Sequence, residues 1–398
     1  MTIKNEHNKI NVPNLRFPEF QGEWEKCKLG ELTTKVGSGS TPKGGNAVYT
    51  SVGHCFVRSQ NVGMGYLILD DIAHIDDDIH KKHKATEINE DDVLLNITGA
   101  SIGRTAIATK EIEGGNVNQH VCIIRANSKV SPKFLCNYIQ TKKIQNYIQS
   151  LQTGGSREGL NFEQIRSFPI SLPGIAEQSQ IAQLLDKLNE RIATQNKIID
   201  KLQSLIKGIV DCTILRKEKN AIVGDVCSIS EQIRAEANID DIITVRLHGN
   251  GVCKSSAENL QLGATQYYRR RAGQLIYGKQ NFHNGAIGIV PISLDNGITS
   301  KDIPSFDIDE MKCNSVYLLA QLQSPQYYKP AEALTTGTGS KRLKEETFLK
   351  LPIVLPNKRE QDNIAVLIHC ASMNLDHAKR LLELLSIQKQ FLLRQMFI

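Results

Sequence analysis

Apolar residues recur every three or four positions in two long stretches, one in the middle of the chain and one at its end. A seven-residue frame starting at Ile181 places mostly aliphatic side chains at its first, fourth and fifth positions as far as Ile209, and the same frame starting at Ile364 continues to Leu392. This pattern predicts two amphipathic helices. Some 35 residues at 1.5 Å each give a rod of about 50 Å, longer than a helix needs to cover its own small domain.

We therefore predict that the two helices pair as an antiparallel coiled coil through the first and fourth positions of the frame. Arg191 and Asn374 share a fourth position, where a polar residue can fix the register at some cost in stability. Two helices that each pack on their own domain are the alternative. The predicted pairing residues are Ile181, Leu184, Leu188, Arg191, Leu202, Leu205, Ile364, Leu367, Asn374, Leu381 and Leu385.

A short segment just before each helix is repeated. Residues 168–173 read Phe-Pro-Ile-Ser-Leu-Pro and residues 351–356 read Leu-Pro-Ile-Val-Leu-Pro, and both are followed at equal spacing by Glu-Gln and Ile-Ala. Proline disfavours helix for itself and for the residue before it, so the helices begin at defined points after these segments. The chain therefore contains two copies of one unit, each a globular segment of roughly 150 residues followed by a helix.

Each globular segment has short apolar runs bounded by glycines, such as 92–97, 121–124 and 274–277, which predict strands. Segments with apolar residues at helical spacing, 134–151 and 315–334, follow these runs. We predict an α+β fold with two similar strand-rich, mixed α/β domains related by a pseudo-two-fold axis and joined by the two helices. The predicted limits are 1–175 for the first domain, 176–216 for the central spacer helix, 217–358 for the second domain and 359–398 for the C-terminal spacer helix.

The composition fits this picture, because 398 residues with 40% hydrophobic and 23% charged content can fill the cores of two domains. No apolar run approaches the roughly 18 residues that span a bilayer, and the start of the chain lacks the apolar stretch of a secretory signal. We expect a cytoplasmic protein without a membrane partner. Nine cysteines contain no Cys-x-x-Cys pair, so neither a zinc site nor a disulfide framework is predicted.

Two Gly/Ser loops that end in a cation, at 153–157 and 336–341, precede the repeated segments. Such loops can present backbone N–H groups to phosphate, and an ordinary turn is the alternative. Arginine forks suit guanine and phosphate, and amide side chains suit adenine, so mixtures of these residues are DNA-contact candidates, although charge can also protect a strand edge. The candidates are Arg58, Gln60, Asn61, Arg104, Asn118, Gln119, Arg157, Tyr267, Tyr268, Arg269, Arg270, Arg271, Lys279, Asn281, Lys341 and Arg342.

The order of Gly/Ser loop, Pro-Ile-x-Leu-Pro segment, Glu-Gln pair and long helix, present twice, resembles the specificity subunits of type I restriction-modification systems. The front of the chain agrees, with Trp24, the loop Gly-Ser-Gly-Ser-Thr-Pro at 37–42, and the segment 92–95 leading to 98–104. The resemblance covers essentially the whole chain. In the second copy the counterparts are weaker, and no equivalent of the 37–42 loop follows Val226.

This resemblance implies two target-recognition domains, each for one half of a bipartite double-stranded DNA sequence, with the helices setting the gap between the halves. It also implies that two methylation subunits dock on the chain and that motor-nuclease subunits join through the assembled complex. The chain itself is then a non-catalytic part of an adenine-N6 DNA methyltransferase and restriction enzyme. No cofactor is expected on it, because S-adenosylmethionine, ATP and magnesium belong to the partner subunits.

The sequence lacks the Gly-x4-Gly-Lys-Ser/Thr, Gly-x-Ser-x-Gly and His-Glu-x-x-His motifs, and the Asn/Asp-Pro-Pro-aromatic tetrapeptide of an adenine methyltransferase. The acidic and histidine-rich run at 70–83 has the mixed charge of a solvated loop, so no metal site is predicted there. We predict recognition without catalysis. The alternatives are a self-sufficient DNA methyltransferase and a coiled-coil scaffold that binds other proteins.

Overall fold

The structure is a computed structural model that describes residues 11–152, 159–255, 265–337 and 341–398. By packing, the chain divides into two compact units: Met1–Asn196 with Leu381–Ile398, and Lys197–Arg380. Each unit contains part of both long helices, so the units do not coincide with the four successive segments predicted from the sequence. The functional limits of the recognition domains stay a prediction. No helix in the described ranges is long and apolar enough to cross a membrane.

The first unit is built on a four-stranded sheet of order β2-β8-β5-β6, a three-stranded sheet β4-β3-β7 and the antiparallel pair β1-β9. The elements, in chain order, are β1 (Glu25–Lys28), β2 (Thr33–Ser38), β3 (His54–Val57), β4 (Ala73–Ile75), α1 (Asp77–Lys82), β5 (Val93–Asn96), β6 (Thr105–Ile107), β7 (Asn116–Val117), β8 (Val121–Ala126), α2 (Pro132–Ile139), α3 (Lys142–Ser150), α4 (Phe162–Arg166), β9 (Pro169–Leu172) and the long helix α5 (Ile175–Val210).

The second unit repeats this plan with a four-stranded sheet β11-β19-β16-β17, a three-stranded sheet β12-β15-β18 and the pairs β13-β14 and β10-β20. Its elements are β10 (Ala221–Ile222), β11 (Cys227–Ile229), β12 (Arg234–Ala235), β13 (Ile243–Val245), β14 (Val252–Lys254), β15 (Tyr267–Arg269), β16 (Leu275–Tyr277), β17 (Ile287–Ile289), β18 (Ile298–Ser300), β19 (Ser305–Ile308), α6 (Ser315–Leu322), α7 (Pro325–Tyr328), α8 (Glu345–Leu349), β20 (Pro352–Ile353) and the long helix α9 (Lys358–Gln395). The predicted duplication of a strand-rich, mixed α/β domain is confirmed.

The repeated Glu-Gln pair has the same structural role in both units, which explains why the sequence repeats it. The Gln178 amide accepts from the backbone N–H of Ser131, at the start of α2, and donates to the carbonyls of Lys129 and Pro173, all within 2.8–3.1 Å. Gln361 makes the same three contacts within 2.8–3.1 Å. Its partners are Asn314, Lys312 and Pro356. Each glutamine therefore fastens a long helix to the start of another helix of its domain, α2 in the first unit and α6 in the second.

The core of the first unit includes the end of α9 and the residues that follow it. The Phe397 ring packs against Trp24, Phe134 and Tyr138 with centroid separations of 6.5, 5.2 and 5.5 Å. The Tyr138 hydroxyl donates to the carbonyl of Ile398 at 2.9 Å. Aromatic side chains of this size bury large apolar areas, so the end of the chain contributes strongly to this core.

The two helices are arranged as expected for an antiparallel pair. In the first unit the start of α5, including Leu185, shares one hydrophobic core with Leu393 near the end of α9. In the second unit the end of α5, including Val210, shares a core with Ile364 and Ile368 near the start of α9. The buried side chains along the two helices include Ile181, Leu185, Leu188, Gln195, Ile199, Ile364, Ile368, Ala371, Ala378, Leu385 and Lys389.

The predicted pairing through the fourth position of the frame was wrong, because the buried line follows the first and fifth positions. The fifth positions of α5, such as Leu185, Ile192 and Ile199, are aliphatic without interruption, whereas a seam through the fourth would bury the Arg191 guanidinium at a high desolvation cost. Among the first-position residues, Ile181, Leu188, Ile364 and Leu385 are buried and Leu202 is half-buried. Six predicted pairing residues are exposed instead: Leu184, Arg191, Leu205, Leu367, Asn374 and Leu381.

Candidate nucleic-acid interface

Both units bring the segment that follows the Gly/Ser loop beside the end of a central strand. In the first unit the Leu160 N–H donates to the carbonyl of Ile97, just after β5, at 2.9 Å. In the second unit the Leu343 N–H donates to the carbonyl of Lys279, just after β16, also at 2.9 Å. The predicted contact Arg157 lies outside the described residues. The repeated geometry gives each unit one edge at which loop residues and strand-end residues meet.

The 37–42 loop of the first unit packs closely on β7. A Cβ atom at Gly39 would overlap the carbonyl oxygen of Val117, and the Gly39 N–H donates to the carbonyl of Asn118 at 3.1 Å. Only glycine fits such a close backbone approach. The motif therefore has a structural reason for its glycine, and its role here is to seat the loop.

Two predicted contacts of the first unit are structural. The Asn61 side chain is buried, accepts from the Arg58 N–H and donates to the carbonyl of Ile68, both at 2.9 Å. The Asn118 side chain is also buried and accepts from the His120 N–H at 3.0 Å. That Asn61 and Asn118 contact DNA stays a prediction, and in this structure backbone groups of turns already use both side chains. Amide side chains commonly satisfy turns in this way.

The other candidates of the first unit reach solvent. Gln119 and Arg104 are exposed. The Arg58 guanidinium is half-buried over the ring of Tyr49, 5.4 Å from its centroid, and donates to the carbonyl of Asp71 at 3.2 Å. The Gln60 amide donates to the Asp71 carboxylate at 3.3 Å. Arg104 and Gln119 are therefore the most exposed candidates of the first unit besides Gln60, and the Gln119 amide shares a hydrogen bond with the His120 ring at 3.3 Å.

The run of three arginines in the second unit is divided by its packing. Arg269 and Arg271 are exposed, whereas Arg270 is fully buried. Tyr267 is buried as well, and Tyr268 is half-buried. Burial lowers the pKa of Arg270 to about 10, so it is still a cation at neutral pH. Arg270 and Tyr267 were predicted as DNA contacts, and in this structure both side chains are buried in the domain interior, where they are shielded from solvent.

Carboxylates surround the exposed cations of the second unit. Arg269 and Arg271 line a cavity of about 380 Å³ together with Glu231, Asp307 and Glu310. Such a site offers both hydrogen-bond donors and acceptors. It is less favourable for phosphate than a purely basic patch would be.

Three further cations of this unit are held in ion pairs. Lys279 Nζ lies 2.7 Å from Glu345, Arg342 Nε lies 3.2 Å from Asp302, and Lys341 Nζ lies 3.8 Å from Glu332. Asn281 is exposed. The pairs of Arg342 and Lys341 are substantially exposed, and such pairs contribute little to the free energy of unfolding, so both cations still reach solvent.

Sequence reasoning missed the exposed apolar face of α9 in the first unit. Leu384, Ile387 and Phe391 are each more than half exposed and lie on one side of the helix. The sequence contained this information, because the first and fifth positions of the frame already supply one mostly apolar line along the helix. The apolar residues at other positions, Leu384, Ile387 and Phe391, therefore had no predicted role. Lys389 was also missed: it is buried, and burial lowers the pKa of its amine.

The chain has sequence similarity to specificity subunits. A family profile described as type I restriction modification DNA specificity domain matches residues 21–204. The type I restriction enzyme MjaVIII specificity subunit of Methanocaldococcus jannaschii is 20% identical over 400 residues, which cover 92% of this chain and 89% of that protein. The type I restriction enzyme EcoBI specificity subunit of Escherichia coli is 27% identical over 201 residues, 45% of this chain and 41% of that protein. The match to the MjaX specificity subunit of M. jannaschii likewise spans only 48% of that protein.

A solved structure shares the fold. The S subunit of a type I restriction-modification system from M. genitalium superposes with a TM-score of 0.66 at 12% identity, over 97% of this chain and 99% of that one. At this identity the likeness shows the fold alone. The resemblance inferred from the sequence is confirmed: residues 21–204 match the profile of a type I restriction modification DNA specificity domain, and the chain shares the fold of that S subunit.

Proposed function

We propose that the chain is the DNA-recognition subunit of a type I restriction-modification complex, in which each unit binds one half of a bipartite target. The observation that carries this proposal is the duplication: both units repeat the same order of a four-stranded sheet, the same three hydrogen bonds of a glutamine, and the same contact between the end of a central strand and the segment after the Gly/Ser loop. Two similar domains with different surface side chains suit a target of two unlike half-sequences. The similarity to specificity subunits supports the same conclusion.

DNA contact falls to polar side chains that reach solvent in each unit. In the first unit these are Arg104, Gln119, Arg58 and Gln60. Guanidinium groups match guanine edges and phosphates, and amides match adenine. In the second unit the proposed contacts are Arg269, Arg271, Asn281, Lys279, Lys341 and Arg342.

Two methylation subunits dock on the long helices, and motor-nuclease subunits join through that assembly. The support in this chain is the exposed apolar face of α9, because monomeric proteins rarely leave contiguous apolar side chains in water without a partner. The recognition chain supplies no catalytic group in this proposal. S-adenosylmethionine, ATP and magnesium act on the partner subunits.

Replacing Ile387 and Phe391 together by glutamate is expected to weaken binding of the methylation subunits by at least about tenfold, since a charge would be buried in an apolar contact. Affinity is measured by co-purification and by titration of the labelled chain. Ser386→Glu is the control for added negative charge, because it places a glutamate on a different face of the same helix. Equal binding by both variants would contradict docking at this face.

The proposed function is tested by mapping methylated adenines across the genome of cells that have or lack this chain. The expected result is a set of sites with two constant half-sequences and a constant gap, present only with the chain. Gel shifts across salt concentrations separate the alternatives. Methyl transfer by the chain alone would favour a self-sufficient methyltransferase, and absence of duplex binding even with methylation subunits would favour a scaffold.

A further inference from the structure

Arg270 is fully buried, and its guanidinium hydrogen bonds go to neutral acceptors. Nε donates to the Thr299 hydroxyl at 2.7 Å, Nη1 to the Ser305 hydroxyl at 2.9 Å, and Nη2 to the carbonyl of Ile303 at 3.0 Å. None of these groups carries a charge. An uncharged side chain of similar volume would avoid the desolvation cost of a cation here, so stability alone is a poor account of this arginine.

The acceptors of Arg270 surround one turn, residues 301–304, between β18 and β19. The carbonyl of Ile303 accepts from Arg270 and, at 2.9 Å, from the Thr299 hydroxyl. The Ile303 N–H donates to the carbonyl of Ser300 at 3.1 Å. The planar Arg270 guanidinium binds a hydroxyl group on each strand, Thr299 and Ser305, and the Ile303 carbonyl between them, and so fixes the turn. A lysine ammonium group cannot make these three bonds in the same geometry.

Asp302 belongs to this turn and contacts two candidate DNA-binding residues. Its carboxylate accepts from Arg342 Nη2 at 3.2 Å, and its backbone carbonyl accepts from the Lys279 N–H at 2.9 Å. Lys279 in turn receives the Leu343 N–H on its own carbonyl. The turn therefore joins the end of β16 to the segment that follows the Gly/Ser loop.

We propose that Arg270 is a positioning residue for DNA recognition by the second unit. It holds the 301–304 turn, and Asp302 on that turn sets the places of Lys279 and Arg342 at the DNA-contacting edge. The inference rests on the proposed function of the chain and adds to it a residue that does not touch DNA.

The test uses the full chain assembled with its methylation subunits, and duplexes carrying the target found by methylation mapping or the same target with one half changed. Arg270→Met is expected to reduce discrimination in the second half by about tenfold and to leave the first half unchanged. Asp302→Asn is expected to give a smaller loss, because it weakens the carboxylate contact to Arg342 and keeps the backbone contact to Lys279. The double variant should lose little more than Arg270→Met alone, because both changes act on one turn.

Leu318→Ala is the matched control, because Leu318 is buried on α6 in the core of the same unit and its aliphatic side chain can form no hydrogen bond to the turn. It should lower the melting temperature and preserve discrimination in both halves. Unchanged discrimination in Arg270→Met, fully additive losses in the double variant, or an equal loss in Leu318→Ala would each overturn the proposal.

Arg270→Lys and Asp302→Asn decide the question if Arg270→Met does not fold. Lysine keeps the charge and loses the fork, so the positioning role predicts reduced second-half discrimination for Arg270→Lys, and wild-type discrimination would count against it. Failure of the proposed function is recognised separately, because the wild-type complex would then show no preference for either half.

Discussion

Glu177→Gln is expected to lower the free energy of unfolding of the first unit by about 3 kcal/mol, whereas Glu360→Gln in the repeated motif should cost less than about 1 kcal/mol. The Glu177 carboxylate is 3% exposed and accepts two bonds from the Arg16 guanidinium, at 2.8 and 2.7 Å. The pair of Glu360 with Lys217 is about 40% exposed on both sides. Removing one partner of a buried pair leaves the other charge uncompensated, while water replaces the partner of an exposed pair.

Trp24 provides the measurement for the first unit, because it is the single tryptophan of the chain and its indole N–H donates to Glu177 at 3.3 Å. Urea unfolding of Glu177→Gln is followed by Trp24 fluorescence, and that of Glu360→Gln by circular dichroism. A double variant with Arg16→Met should recover part of the loss, since it removes the uncompensated cation. Equal losses in the two glutamate variants would show that burial of the Arg16–Glu177 pair does not increase its contribution to the free energy of unfolding.

This contrast shows what local sequence could predict about the fold. The strand β5, the strand β8 and the starts of both long helices follow from apolar spacing and from prolines, which act within a few residues. The repeated Glu-Gln pair indicated two copies of one unit, and Gln178 and Gln361 make the same hydrogen bonds in both copies. It could not distinguish the two glutamates, because their partners come from the start of the chain in one unit and from the segment after α5 in the other.

The helix faces were only partly predictable for a similar reason. A frame with apolar residues at three positions allows two different buried lines, and both have the spacing of a coiled coil. The choice depends on the cost of burying Arg191 against that of exposing Leu184, which is a property of the packed structure. The aliphatic fifth positions, such as Ile192 and Ile199, contained the information that favours the observed line.

The candidate site was predicted at the level of segments and not of side chains. Arg269, Arg270 and Arg271 are equivalent in composition and spacing, yet only Arg270 meets hydroxyl and carbonyl acceptors in the interior. Those acceptors lie some thirty residues further along the chain. Burial of the Asn61 and Asn118 amides likewise depends on turns that form only in the folded domain.

Lengthening both long helices is expected to abolish recognition of the original target and to create recognition of one with a longer gap. Four residues inserted after Gln195 and four after Arg380 add about 6 Å along each helix, or about two base pairs of duplex. Each insertion rotates the buried side chains beyond it by about 40° around the helix axis. This rotation is smaller than the width of an apolar helix face, so the two helices can still pack. Both half-sequences should stay the same, because no side chain of the recognition edges changes.

Methylation mapping of cells carrying the lengthened chain measures the gap and both half-sequences together. The control is the same four residues inserted after Met311, which is 87% exposed on a surface loop of the second unit. That insertion should leave the gap unaltered, since it lies outside both helices. Two base pairs turn the duplex by about 70°, more than the inserted helix segment turns, so binding at the new gap should be weaker than binding of the wild-type chain to its own target. An unaltered gap in the lengthened chain would show that the helices do not set the spacing of the two half-sequences.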